Sequence, residues 1–326
     1  MAEESGIVQA FILDGNGGGK HLNNEWSEVK QWRKEQGILW LHLDYTIPKV
    51  QQWLKTESGL EPLIVEALVA EETRPRCIIE ENELMVLLRG VNLNPGEDPE
   101  DMVSIRVWLD PYRIITTRRR RILSIVDIRL TIEAGHGPKS TIDFLNALND
   151  RLTLRMHSVV EKLSEQIDEL EDNFLTNAPD DHRFQIMKIR QMAVMLRRYL
   201  NPQQEAIHNL QISHCIMLDE IHLDHFREAG DQLKRYIEEL DSTRERATIL
   251  QEEIMSRSVD LTNQRMYSLA VVSLIFLPLA FINGLLGINV GGIPGATSPW
   301  AFHVVTLLSV FIGVVIYFYL KHKKWV

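Results

Sequence analysis

The chain has 326 residues, a formal net charge of −10 and two cysteines. Two cysteines are too few for a disulfide framework, and an acidic surplus argues against a nucleic-acid partner while suiting cations. All 45 acidic residues precede Leu261, whereas Arg265, Lys321, Lys323 and Lys324 follow it, so the part before Leu261 is more acidic than the whole.

No apolar run follows a basic start at the N-terminus, so no signal peptide is expected. Residues 1–140 read as a cytoplasmic α/β domain. Residues 7–13 form a strand that runs into Asp14-Gly15-Asn16-Gly17. The stretch from Gly15 to Lys20 imitates a phosphate loop but lacks its fixed spacing, so it reads as a hairpin turn. Further strands are expected at 37–43, 84–91, 102–109 and 113–117, with helical spacing at 50–54 and 62–71. Strands interleaved with helices point to a layered α/β arrangement. Arg118-Arg119-Arg120-Arg121, on an acidic domain, reads as an ion-pairing face.

Residues 141–218 read as helical arms. Apolar spacing of three and four predicts helices over 142–174 and 181–213, separated at Asn177-Ala178-Pro179-Asp180, with a kink expected at Pro202. A helix-to-helix turn is expected within 214–220. From 219 to 265 the pattern is that of a stalk helix. Leu233, Leu240, Ala247, Ile254 and Leu261 form one heptad line, and Met255, Val259, Thr262, Met266 and Leu269 form a second on another face. Two apolar lines require neighbours on two sides, which points to a homo-oligomer. Nothing interrupts the pattern at Arg265-Met266, so one helix is expected to leave the cytoplasm and become a membrane span.

From Met266 to Leu320 there is no Asp, Glu, Lys or Arg. Two spans, 266–287 and 301–320, are each long enough at about 20 residues to cross a hydrocarbon core. Both must be helical, because lipid offers no partner to a free peptide group. The link at 288–300 holds Gly291, Gly292, Pro294, Gly295 and Pro299, which break helices. A basic tail, 321–326, follows. Arg265 and the tail lysines place both termini in the cytoplasm.

Two further constellations bear on chemistry. His208, Cys215, Asp219 and His222 share one face if helix continues through them, and imidazole, thiolate and carboxylate suit zinc. The turn expected at 214–220 would scatter them. His303 is the one imidazole between Met266 and Leu320, and is a candidate for proton coupling. No nucleophile–base pair, nucleotide loop or metal-hydrolase motif occurs, so neither an enzyme nor a resident cofactor is expected.

The chain resembles the CorA-type divalent-cation transporter family over nearly its whole length. The resemblance rests on Glu71-Glu72-Thr73-Arg74-Pro75-Arg76, on Arg197-Arg198-Tyr199-Leu200-Asn201-Pro202-Gln203, and above all on the run from Asn263 to Gly287-Ile288-Asn289. Within the family the chain is similar to the zinc-transport (ZntB-like) branch. Ile288 stands where the magnesium branch has Met, the link lacks Asp and Glu, and Gly291-Gly292-Ile293-Pro294-Gly295 looks like the zinc branch's loop. The resemblance implies an α+β membrane protein of the inner (plasma) membrane, assembled as a funnel-shaped homopentamer with its first spans around one pore. It implies transport of divalent cations, zinc foremost. It assigns the pore lining to Met255, Val259, Thr262, Met266, Leu269, Ser273, Leu277, Ala280 and Gly284, and ion recognition at the mouth to Gly287, Ile288 and Asn289. The Asn289 amide oxygens would form a neutral ring of acceptors, Gly287 would let the backbone turn, and apolar rings at Leu269 and Leu277 would close the pore by dewetting. A magnesium, cobalt or nickel channel on the same scaffold is an alternative, as is a membrane-anchored signalling or scaffold protein in which the hairpin only tethers.

Overall fold

The computed structural model describes residues 5–71, 74–176, 182–213, 215–288, 292–293, 295 and 298–323. The chain divides into two compact units, 1–251 and 252–326. In the first unit, β1 (Ile7–Leu13), β2 (Gly19–His21), β3 (Ile38–Asp44), β4 (Arg76–Ile79), β5 (Leu84–Gly90), β6 (Val103–Leu109) and β7 (Arg113–Arg118) form one sheet, ordered β2-β1-β3-β7-β6-β5-β4. Neighbours are antiparallel except β3 and β7, which run parallel from Leu39 opposite Arg113 to Asp44 opposite Arg118. A parallel pair needs a long crossover, and the chain between β3 and β7 supplies it.

That crossover contains α2 (Pro48–Thr56) and α3 (Pro62–Val69), each opened by proline at its first position, where the missing N–H costs nothing. Val50, Leu54, Ile64, Val65 and Leu68 from these helices cover Leu41, Leu43, Met85, Leu87, Trp108 and Ile115 of the sheet. A short α1 (Trp26–Gln31) precedes β3, and α4 (Leu123–Glu133) follows β7. α5 (Thr141–Thr176) lies over the other sheet face, its Phe144 ring 4.9 Å from that of Trp40. α6 (Arg183–Gln211) packs beside β4 and β5, with Gln203 Oε1 accepting the backbone N–H of Arg89 at 2.7 Å. Sheet and arms thus share one compact unit, and the change of character near residue 140 is a change of secondary structure within it.

The hairpin reading of Gly15 to Lys20 holds. Asp14 Oδ1 accepts the N–H groups of Asn16 and Gly18 at 2.7 and 3.0 Å, closing the β1–β2 turn. In the arginine run, Arg120 pairs with Asp101. Pro202 lies inside α6, which continues beyond it to Gln211. The expected break at Asn177-Ala178-Pro179-Asp180 lies outside the described residues. α1, β2, β4 and α4 are elements the sequence pattern does not announce.

Two buried polar groups shape the sheet. Arg106 is wholly buried and donates from Nη2 to the carbonyl of Ala70 at the end of α3, a favourable place for a cation. His42 is also wholly buried, with Nδ1 2.9 Å from Thr116 Oγ1. Burial, and then the like charge of Arg118, lower its pKa from 6.5 to about 3. The unfolded chain therefore binds an extra proton between those values. Stability is full above the unfolded value and falls as pH drops through that window, by about 2 kcal/mol at about pH 5. Replacing His42 by Leu is expected to flatten the dependence of melting temperature on pH between about pH 7 and about pH 5. An unchanged slope contradicts this assignment.

α7 (Glu220–Leu286) is a single 67-residue helix, and α8 (Ala301–His322) follows the link. Leu233, Leu240, Ala247 and Ile254 are all buried at 1% exposure or less, whereas Leu261 is 46% exposed. The first heptad line therefore packs within the chain and ends before Leu261. Mean hydropathy reaches 2.4 in α7 and 2.3 in α8, so both are long and apolar enough to cross a membrane. A Cβ added at Gly313 would lie 3.9 Å from Leu279 Cδ1, so α8 passes close beside α7 there.

Candidate functional site

The candidate site is a line along α7. Met255, Val259, Thr262, Met266, Leu269, Ser273, Leu277, Ala280 and Gly284 recur at three and four and therefore share a helix face. All nine are exposed. Met266, Leu269 and Leu277 stand 64%, 68% and 73% exposed, among apolar side chains that burial would stabilise. The two hydroxyls on the line are oriented by their own helix. Thr262 Oγ1 donates to Ser258 O at 2.9 Å and Ser273 Oγ donates to Leu269 O at 2.8 Å. With the proton turned back, each oxygen offers lone pairs outward, as a cation requires. Pro278 sits beside Leu277 and removes one backbone bond from the helix.

At the end of the line α7 stops at Leu286. Gly287 follows it in a turn, with its N–H donating to Asn283 O at 2.9 Å and closing the last helical hydrogen bond. Among the described residues of the link, φ is positive at Gly292 and Gly295, at 104° and 80°, a conformation that favours glycine. Ile288 is exposed, and Asn289 lies outside the described residues. His303, in the first turn of α8, has its ring 5.9 Å from Trp300 and 5.8 Å from Phe302, both edge-on.

The proposed metal set does not assemble. α6 ends at Gln211 and α7 begins at Glu220, so no continuous helix aligns its members. His208 turns to Gln211 Oε1 at 3.2 Å, and the buried Cys215 thiol points to the carbonyl of Glu81 at 3.6 Å. Asp219 and His222 do meet, but His222 directs its two ring nitrogens at different carboxylates. Among the described residues no three His, Cys, Asp or Glu groups could hold a metal ion. The zinc-ligand reading of His208, Cys215, Asp219 and His222 is therefore withdrawn.

A second feature of α7 escaped the sequence reading. Steps of seven back from Val259 reach Glu252, Glu245, Glu238 and Asp231. All four are exposed and, among the described residues, make no ion pair. They lie on the side of the helix away from the buried line of Leu233, Leu240, Ala247 and Ile254. A period-seven search restricted to acidic residues would have found them.

An α/β unit whose last helix runs without a break into an apolar two-helix segment defines a two-span membrane protein with a large polar domain. The chain belongs to the CorA family, since residues 35–322 match the model described as CorA-like Mg2+ transporter protein. It is 36% identical to the divalent cation transporter CmaX of Pseudomonas aeruginosa, over 99% of this chain and 98% of that protein. It is 32% identical to the zinc transport protein ZntB of Pectobacterium carotovorum, over 99% and 97% respectively. The solved full-length CmaX structure matches with a TM-score of 0.86 at 35% identity, covering 99% of both chains. The complete CorA magnesium transporter of Methanocaldococcus jannaschii matches with a TM-score of 0.82 at 17% identity, covering 98% of this chain and 99% of that one, a likeness of fold alone.

Proposed function

We propose that the chain carries divalent cations, zinc foremost, across the inner membrane through the central pore of a homopentamer whose termini are cytoplasmic. The observation that carries this reading is the exposed line on α7 from Met255 to Gly284, which runs without interruption into the apolar segment. A tether needs no such continuity. Related copies of this line facing one axis would supply apolar rings at Met266, Leu269 and Leu277 and oxygen acceptors at Thr262 and Ser273. Zinc is favoured over magnesium, cobalt or nickel because end-to-end relatives are zinc transport proteins and because the link contains no Asp or Glu. No resident cofactor is invoked, since the metal is cargo.

The assembly is tested by native mass in detergent. A pentamer plus its micelle is expected, and a clean dimer would contradict the pore.

In the same reading, the line of Asp231, Glu238, Glu245 and Glu252 provides a negative potential along the cytoplasmic approach. Such fields raise local cation concentration and weaken with salt. Glu238→Lys together with Glu245→Lys is expected to lower the initial rate of zinc flux roughly tenfold at low ionic strength, with the deficit shrinking as salt rises. A salt-independent deficit, or none, removes these residues from the path.

A further inference from the structure

The two apolar helices meet in a way that gathers cations at one end. A Cβ at Gly313 would lie 3.9 Å from Leu279 Cδ1, which fixes the sides on which α7 and α8 face each other. Arg265 stands fourteen residues before Leu279, close to four helical turns, so it lies on the α8 side of α7. Leu320 stands seven residues after Gly313, close to two turns, and among the described residues of α8 it alone is buried. The side of α8 that meets α7 is therefore still closed at Leu320. Lys321 and Lys323 flank that side, each about 80° round the helix from Gly313.

Irregular backbone cannot recross a hydrocarbon core, so the two spans run in opposite directions and these three cations reach the same membrane surface. Measured from the Gly313–Leu279 contact, Arg265 stands about 21 Å along α7, and Lys321 and Lys323 stand about 12 and about 15 Å along α8, at 1.5 Å per residue. Long basic side chains bridge an offset of that size. Towards the membrane from them, α8 exposes Phe311, Val315 and Phe318, with Tyr317 and Tyr319 at the level of the interface. All three cations are exposed, and among the described residues none of them makes an ion pair. No Asp or Glu follows Asp260, which lies five residues before Arg265 and about 140° round the helix from it. No carboxylate side chain therefore answers the three like charges at this end, and they repel one another.

We infer that Arg265, Lys321 and Lys323 hold the headgroup of an anionic phospholipid at the polar end of the α7–α8 pair. A phosphodiester accepts from guanidinium and ammonium donors together. Its acyl chains continue along the exposed apolar face of α8. A zwitterionic headgroup carries its own ammonium and gains less from the three cations. Glycerol phosphate offers the same oxygens but has no chains to bury on that face. The site requires that the two helices span a membrane, and it is independent of what the protein transports.

The test is lipid retention by the full-length protein. Delipidated protein is mixed in detergent with equal amounts of phosphatidylglycerol and phosphatidylcholine of the same acyl chains, and the lipids that co-elute with it are quantified by mass spectrometry. Phosphatidylglycerol is expected to exceed phosphatidylcholine at least about tenfold, with the ratio falling as salt rises. The variant Arg265→Gln, Lys321→Gln, Lys323→Gln is expected to bring the ratio close to one. The charge-conserving variant Arg265→Lys, Lys321→Arg, Lys323→Arg is expected to keep it. A ratio near one in the unmodified protein overturns the site, and that comparison decides alone if the neutral variant fails to assemble. A full ratio in a neutral variant of normal size and melting temperature also overturns it. Displacement of phosphatidylglycerol by an equal concentration of glycerol phosphate overturns the assignment to lipid.

Discussion

Replacing Asn289 by Leu is expected to abolish measurable zinc entry in protein that inserts and assembles normally. Asn289 lies outside the described residues, and its role rests on the Gly287-Ile288-Asn289 sequence at the end of the span proposed to line the pore. In the proposed assembly every subunit contributes one amide to the ring. Those oxygens accept hydrogen bonds from the water shell of the ion without stripping it, or bind the ion directly at higher cost. Leu has similar size and no acceptor, so the ring loses about 1 kcal/mol per missing bond at every subunit at once. Asn289→Asp discriminates further. It keeps the acceptors and adds charge, so the ion is held longer. Half-saturation at lower zinc, with a reduced maximal rate, is the expected pair of changes. Melting temperature and oligomer size of both variants separate a lost ion site from a lost helix cap, because Asn is also a common residue at helix ends. Normal zinc entry through an assembled Asn289→Leu protein contradicts this account of the mouth.

The second large effect is at Leu277. Its side chain is 73% exposed on the line, immediately before Pro278. A ring of leucines makes a constriction that water leaves, and an ion that must shed its shell there meets a high barrier. Asn at this position brings hydrogen-bonding groups into the ring and wets it. Leak of divalent ions in the resting state is expected to rise by at least about tenfold, the change produced by each ~1.4 kcal/mol taken from a barrier. The measurement is the rate of ion loss from preloaded vesicles. An unchanged rate, with normal insertion, places Leu277 on a face other than the pore's.

How far the chain could be read from its sequence depended on period and range. The long helix was legible because Leu233, Leu240, Ala247 and Ile254 keep a strict interval and each is buried. The membrane segment was legible because charge vanishes over a length that matches a bilayer. α4 was not: Leu123 to Glu133 reads Leu-Ser-Ile-Val-Asp-Ile-Arg-Leu-Thr-Ile-Glu, rich in β-branched residues that favour strands. It folds as helix because Ile125, Ile128 and Ile132 bury one face, a tertiary outcome that local preference does not carry. β4 is four residues at a sheet edge and too short to show a period.

The site divides in the same way. The exposed line from Met255 to Gly284 follows from helical spacing, and its acidic continuation follows from the same spacing applied to another residue class. The metal set failed because it assumed helix between Gln211 and Glu220. The partner that His222 does find, Asp143, is 79 positions away on another helix, and no local pattern names it.

Uptake of radiolabelled zinc into proteoliposomes holding only the purified chain, with and without a pH gradient and with magnesium as competitor, tests the central claim most directly. Saturable zinc entry that exceeds empty vesicles and survives excess magnesium is the predicted result, and stimulation by the pH gradient would assign a coupling role in which His303 is the first residue to replace. Zinc entry no greater than in empty vesicles, from protein of confirmed pentameric mass, would contradict the account.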